Sequence, residues 1–189
     1  KCYDKTQEIM KKMLLFFVFL FSCSNQSTIP KPKAFFYNEL AEPNYVYYKS
    51  NCGYSFFVNS KNDIDSENCN MKIKSSSLNS TIYLSQVSIK NNFNLIDSDF
   101  LKKIDENSTN AFSVNVSEFN DRENNVFAKY YSFTGNTPSN TRFYITDSIS
   151  VYLTGSLYFD SKPNYDSLLP SIFLVNNEIR KMIQTFKWK

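Results

Sequence analysis

Residues 80–107, STIYLSQVSIKNNFNLIDSDFLKKIDEN, decide the fold. Ser80 to Ser88 alternates, with Ile82, Leu84 and Val87 apolar, which is the pattern of a strand with one face in a core. Past Lys90 the period changes. Phe93, Ile96, Phe100 and Ile104 recur at +3, +4 and +4, a single apolar stripe along a helix, with Asn91 or Asn92 as its N-cap. Lys102, Lys103, Asp105 and Glu106 lie on its solvated side. A strand running straight into a core-facing helix begins an α+β arrangement.

Toward the C-terminus, Phe112–Phe119 and Val126–Phe133 read as two strands joined by the polar turn NDRENN. Gly135-Asn136-Thr137-Pro138 makes the next turn, and Arg142–Thr146 and Val151–Phe159 continue the meander around Asp147-Ser148. Asp166 or Ser167 is expected to cap a last helix, with Pro170 near its first turn, where proline costs least. Leu169, Phe173, Ile179, Met182, Ile183 and Phe186 supply its core stripe.

Toward the N-terminus, a short strand is expected near Tyr45–Tyr48, then strands at Cys52–Val58 and Cys69–Lys74 separated by the polar stretch NSKNDIDSEN. The sum is a single α+β domain over 35–189: an antiparallel sheet packed against two main helices, about 91–107 and 167–186. No internal repeat interrupts it.

Ahead of the domain stands Met10 to Cys23, MKKMLLFFVFLFSC. A basic start at Lys11-Lys12 and a short apolar run from Leu14 to Phe21 have the layout of a secretory signal, too short to span a bilayer of ~30 Å. Leu20-Phe21-Ser22-Cys23 resembles a bacterial lipobox, against the plainer reading of a buried apolar segment with an incidental cysteine. The resemblance implies that Cys23 is acylated, carries palmitate-type chains and becomes the first mature residue. Residues 1–22 are then an upstream extension and signal peptide. Residues 23–34, with SNQSTIPKPK after the cysteine, form a lipid-anchored tether. Ser24, in place of aspartate, favours the outer membrane by analogy with lipoprotein sorting, and the lack of an acidic cluster favours a periplasm-facing position.

Composition narrows the function. The chain has no histidine, which removes His-based acid–base chemistry, Ser-His and Cys-His pairs and His metal sites. Residues 1–22 hold four of the 21 Lys and Arg and two of the 18 Asp and Glu, leaving 17 against 16. So balanced a domain does not suit nucleic acid as a partner. Eighteen Phe, 13 Tyr and three Gly point to an aromatic, sheet-rich core. Once Cys23 is lipidated, Cys52 and Cys69 are the remaining mature cysteines. In an oxidising space they read as a disulfide, the alternative being two buried free thiols.

The order of FTGNTPSN (133–140), RFYITDS (142–148), LTGSLYFDSKPNYDSLLP (153–170) and IQTFKW (183–188) resembles the gliding motility lipoprotein family GldD of the Bacteroidota. TIYLS before the first helix, LIDS within it, and the Cys52/Cys69 pair fit as well. The likeness covers about Cys52 to Trp188 and the lipobox. It departs at Val151 and Thr154, where the family often has His and Arg, at Gly53 in place of Pro, and at Asn70 in place of an aromatic. It implies a non-enzymatic outer-membrane lipoprotein, periplasm-facing and free of cofactors, an accessory factor for gliding and type IX secretion whose partners are other lipoproteins of that machinery. The element order also looks like a PsbP-like sandwich.

Partner-facing candidates are Tyr47 and Tyr48 in the aromatic cluster Tyr45-Val46-Tyr47-Tyr48, and Asn136 and Arg142 in and beside the Gly135–Thr141 loop; sequence leaves the tyrosines open between core and surface. A small apolar or cell-wall ligand is the alternative function. A hydrolase would need a carboxylate pair such as Asp97/Asp99 or Asp147/Asp166, and these are better explained by opposite helix sides, a turn and a cap. Asp147-Ser148-Ile149 and Asp166-Ser167-Leu168 match the short O-glycosylation pattern of the same bacteria, and both serines also have turn or cap explanations.

Overall fold

The computed structural model describes residues 42–189. The signal segment, Cys23, the tether and the first residues of the expected domain lie outside the described residues. The described chain is an α+β sandwich. Its elements in order are β1 (Tyr45–Lys49), β2 (Tyr54–Asn59), β3 (Asp63–Glu67), β4 (Asn70–Ser75), a 3-10 turn at Ser76–Leu78, β5 (Ser80–Ser88), α1 (Phe93–Ser108), β6 (Ser113–Asp121), β7 (Val126–Thr134), β8 (Thr141–Thr146), β9 (Val151–Phe159), α2 (Tyr165–Gln184) and β10 (Lys187–Trp188).

Seven strands form one antiparallel sheet in the order β3-β4-β5-β9-β8-β7-β6. Each neighbour is also a neighbour in sequence except β5 and β9, whose pairing from Ser80↔Phe159 to Ser88↔Val151 joins the two hairpin runs. The chain leaves β5 in mid-sheet and returns at the far edge as β6, so α1 crosses one face over β7, β8 and β9. There Phe100 and Ile104 meet Tyr131, Phe133, Tyr144 and Tyr152. The other face is covered by α2 and by a small sheet, β1-β2-β10. Between them Tyr54, Phe56, Ile82, Leu84, Phe143, Leu153, Val175, Ile179 and Phe186 form the larger core.

Several boundaries differ from the sequence reading. The stretch NSKNDIDSEN holds a strand, β3, because Ile64 alone turns toward the core while Asp63, Asp65 and Glu67 face solvent, a pattern that resembles a polar loop. The final helix begins at Tyr165, two residues early, with Asn164 capping it by accepting from the Ser167 amide at 3.4 Å. Pro170 is thereby two positions deeper than expected, past the first turn, and removes one helical hydrogen bond. Phe173 is 60% exposed and lies off the core stripe, which runs instead through Ile172, Val175, Ile179, Met182 and Ile183. Asn92 is the cap residue of α1 by position, but its side chain accepts from the Lys90 amide rather than from the helix.

A chain with three glycines needs another source of left-handed backbone. Asparagine supplies it at Asn68, Asn79, Asn91 and Asn125, all with φ near 50°. Asn68 and Cys69 together form the two-residue turn between β3 and β4, both at positive φ, the geometry that matches strand twist. Cys69 is joined there to Cys52, with a Cα–Cα separation of 5.6 Å. The bond does not cross a hairpin: β2 lies in the small sheet and β4 in the large one, so it fastens the two sheets together.

The β8–β9 turn is held by Asp147, whose Oδ1 accepts from the amides of Ile149, Ser150 and Val151 at 2.9, 2.8 and 2.9 Å, while Oδ2 accepts from the Ser150 hydroxyl. Partial burial raises its pKa, but those hydrogen bonds outweigh it and hold the carboxyl below the ordinary 3.8. Since the folded value is depressed, the stabilisation is complete above the unfolded value and fades as pH falls through the folded one. Acid unfolding of Asp147→Asn should therefore run below wild type at neutral pH and converge with it below about pH 3.8. A gap unchanged down to pH 2 would contradict the assignment.

Candidate functional site: the groove beside α1

Because α1 lies over β7–β9, the same face of β3, β4 and β5 is left open among the described residues. Lys72 and Lys74 of β4 stand on it opposite Asp65 and Asp63 of β3. Where the open part meets α1 there is a groove of about 350 Å³. Tyr83, Ser85, Thr154, Ser156 and Tyr158 form its floor; Ile96, Asp99, Phe100 and Lys103 form the helix wall. Tyr83 and Tyr158 meet edge to face at 5.7 Å.

Arg142 lies in this groove, half-buried. Its Nη1 donates to Ser156 Oγ at 3.3 Å and its Nη2 to Tyr158 Oη at 3.0 Å, while Nε is buried with no acceptor. Among the described residues no carboxylate pairs with it. A half-enclosed guanidinium bonded only to hydroxyls keeps its charge available for an anionic or strongly polar group. The groove has the hydroxyls, aromatic edges and cation of a polar-ligand site.

The other sequence candidates are placed differently. Tyr47 is 59% exposed, edge to face with Phe57 at 5.9 Å. Tyr48 turns inward and packs on the larger core against Phe56, 5.5 Å between centroids. Asn136 is exposed, and its Oδ1 accepts from the Tyr165 amide at 2.8 Å, fixing the start of α2. These four residues are not brought together.

The loop that follows Gly135 proves to be a buried polar clasp. Asn107 on α1 donates to Ser139 O at 2.7 Å and accepts from Ser139 N at 3.1 Å. Thr141 donates to Asn176 of α2 at 2.6 Å, and Ser139 Oγ donates to Thr141 O at 2.9 Å. One loop thus ties both helices to the sheet, one on each face. Sequence reasoning missed Asn107 and Asn176; the available signal was that each is a polar residue falling on an apolar stripe. Glu178 was missed for the same reason. It is buried and accepts from Asn59 at 2.7 Å and Asn62 at 2.8 Å, anchoring the β2–β3 turn to α2.

Among the described residues no carboxylate pair converges on the groove, whose lining includes one carboxylate, Asp99. Asp97 accepts from the Tyr152 hydroxyl at 2.9 Å. Burial, then that carboxylate, push the Tyr152 phenol far above its ordinary value, and burial pushes Tyr144 up to about 12. Asp147 and Asp166 serve a turn and a helix start. Among the described residues no cluster of three or more His, Cys, Asp or Glu could hold a metal ion. Ser148 and Ser167 are both exposed.

Geometry alone therefore defines a helix-flanked antiparallel sandwich with a polar surface groove. The chain belongs to the family of the gliding motility lipoprotein GldD, whose model matches residues 25–188. No curated protein matches it. The family makes this a gliding-motility lipoprotein, and it is not a family known for enzymatic activity. Among the described residues no helix is long and apolar enough to cross a membrane.

Proposed function

We propose that this chain is a non-enzymatic outer-membrane lipoprotein facing the periplasm, an accessory or assembly factor of the gliding and type IX secretion machinery that works by docking other lipoproteins. In this reading residues 1–22 are removed, acylated Cys23 and the tether to residue 34 hold the protein to the membrane, and the domain from 35 to 189 makes the contacts. The family match over residues 25–188 carries it. The test is pull-down from native membranes in mild detergent, paired with Cys23→Ala. Wild type should bring down lipoproteins of the motility apparatus, and Cys23→Ala should leave the membrane fraction and lose them. Recovery of the wild-type protein alone, or unchanged fractionation of the variant, would overturn it.

The Arg142 groove favours one second reading, the capture of an anionic cell-wall component over an apolar ligand. Calorimetric titration with soluble anionic cell-wall fragments should show saturable binding that Arg142→Ala abolishes; no heat with wild type retires it.

A further inference from the structure

The seven-stranded sheet ends in two very different edges. β3 is five residues long and shows solvent Asp63, Asp65 and Glu67, charges of the kind that discourage another strand from pairing. β6 is nine residues long, pairs with β7 from Ser113↔Thr134 to Asp121↔Val126, and carries no proline, lysine or arginine. Among the described residues no strand lies along its outer side. Its two acidic residues are already engaged: Glu118 with Lys129 Nζ at 3.1 Å, and Asp121 with Asn124 at 2.6 Å. In a two-sided ladder every second residue of β6 would direct its N–H and C=O outward, and among the described residues those groups have no strand to meet.

A cavity of about 150 Å³ adjoins this edge, between β6, β7 and α2. Phe119, Ala128, Tyr130 and Ile183 line it, and a space of that size accommodates something as large as a benzene ring. Arg180 stands at its rim, its guanidinium 5.4 Å from the Tyr130 ring centroid, with Asn177 Oδ1 as its hydrogen-bond acceptor and no carboxylate partner among the described residues. On the opposite face of the same strand Val114 and Val116 are exposed, Val116 by 52%.

We propose that β6 and the adjoining cavity take up an extended segment of a partner protein as an eighth strand, with one apolar side chain of that segment in the cavity and an acidic group beside it on Arg180. Outward backbone groups select a strand over a helix. The cavity selects an apolar residue on one face, Val114 and Val116 favour apolar residues on the other, and Arg180 sets the charge of a neighbour. This rests on the docking function proposed above and adds to it the surface and the kind of segment.

The test starts with a phage-displayed library of peptides of about ten residues, the length of a long strand, panned on the full-length protein in detergent. Enriched peptides should alternate apolar residues, lack proline and carry an acidic residue, and should slow amide exchange at alternate residues of β6. Val116→Lys should weaken them about tenfold or more by placing charge on the edge, and Arg180→Glu should shift enrichment toward basic peptides; both positions are exposed, so folding is spared. Unchanged β6 exchange with bound peptide, or full affinity in Val116→Lys, overturns the proposal. So does a dimer of the chain that protects β6 without peptide, which would make a second copy the occupant. Faster β6 exchange after deletion of residues 24–41 would assign the edge to the chain's own leading segment and overturn it equally. If native-membrane pull-down recovers the same lipoproteins with wild type and Val116→Lys, docking stands and this surface falls.

Discussion

Gly155→Ala is expected to lower the unfolding free energy by about 3 kcal/mol, the upper end of what overpacking a core costs. Gly155 on β9 lies between Leu84 of β5 and Phe143 of β8. The Phe143 ring lies across the bare Cα, so a Cβ would come 2.0 Å from its Cζ and 2.3 and 2.4 Å from its two Cε atoms. The ring has no room to retreat, because Phe143 is wholly buried in the larger core. An aromatic closing over a strand glycine is a known way to restore packing where a side chain is missing. Urea unfolding followed by Trp188, the chain's one tryptophan, gives the measurement. Adding Phe143→Leu to Gly155→Ala should recover part of the loss, since a smaller side chain gives the new methyl space. Strict additivity of the two changes would show that the contact is not the cause.

The second large effect belongs to the sheet-to-sheet disulfide. Replacing Cys52 and Cys69 together by serine should cost about 3 kcal/mol, the loop entropy for a separation of 17 residues. Reductant should bring the wild-type protein to the same level and leave the double variant unmoved. The loss should appear first as faster amide exchange in β1 and β2, since their sheet is fastened by this bond, by α2 and by the two residues of β10. Equal stability of oxidised wild type and double variant would contradict the loop argument.

How far the sequence could be read follows from where its periodicity is clean. β5 was legible to the residue, and α1 to within two, because Phe93, Ile96, Phe100 and Ile104 form a single stripe against a sheet face. β3 was not, since an edge strand with only Ile64 turned inward resembles a charged loop. α2 was found with its stripe partly misassigned: Phe173 faces out, while Asn176 and Glu178 are buried and bonded. Polar groups that satisfy one another across distant elements leave no periodic trace. That explains why the Gly135–Thr141 loop reads in sequence as a turn beside partner-facing residues rather than as a clasp, and why the groove around Arg142, built from β5, β8, β9 and α1, cannot be assembled from linear spacing. The lipoprotein character, by contrast, was carried by ordered motifs and needed no coordinates.

The last residues close the small sheet. Lys187 and Trp188 pair with Ser55 and Tyr54, the Trp188 indole donates to Asn125 O at 2.9 Å, and the Lys189 amide donates to Gly53 O at 2.9 Å. A polypeptide made from its N-terminus delivers β2 early and its second neighbour only after every other described element. All strands of the seven-stranded sheet, β3 to β9, precede β10, so that sheet can form while β2 still lacks residue 187. Closure of the small sheet therefore waits on β10, and a chain interrupted upstream of residue 187 leaves one edge of β2 bare.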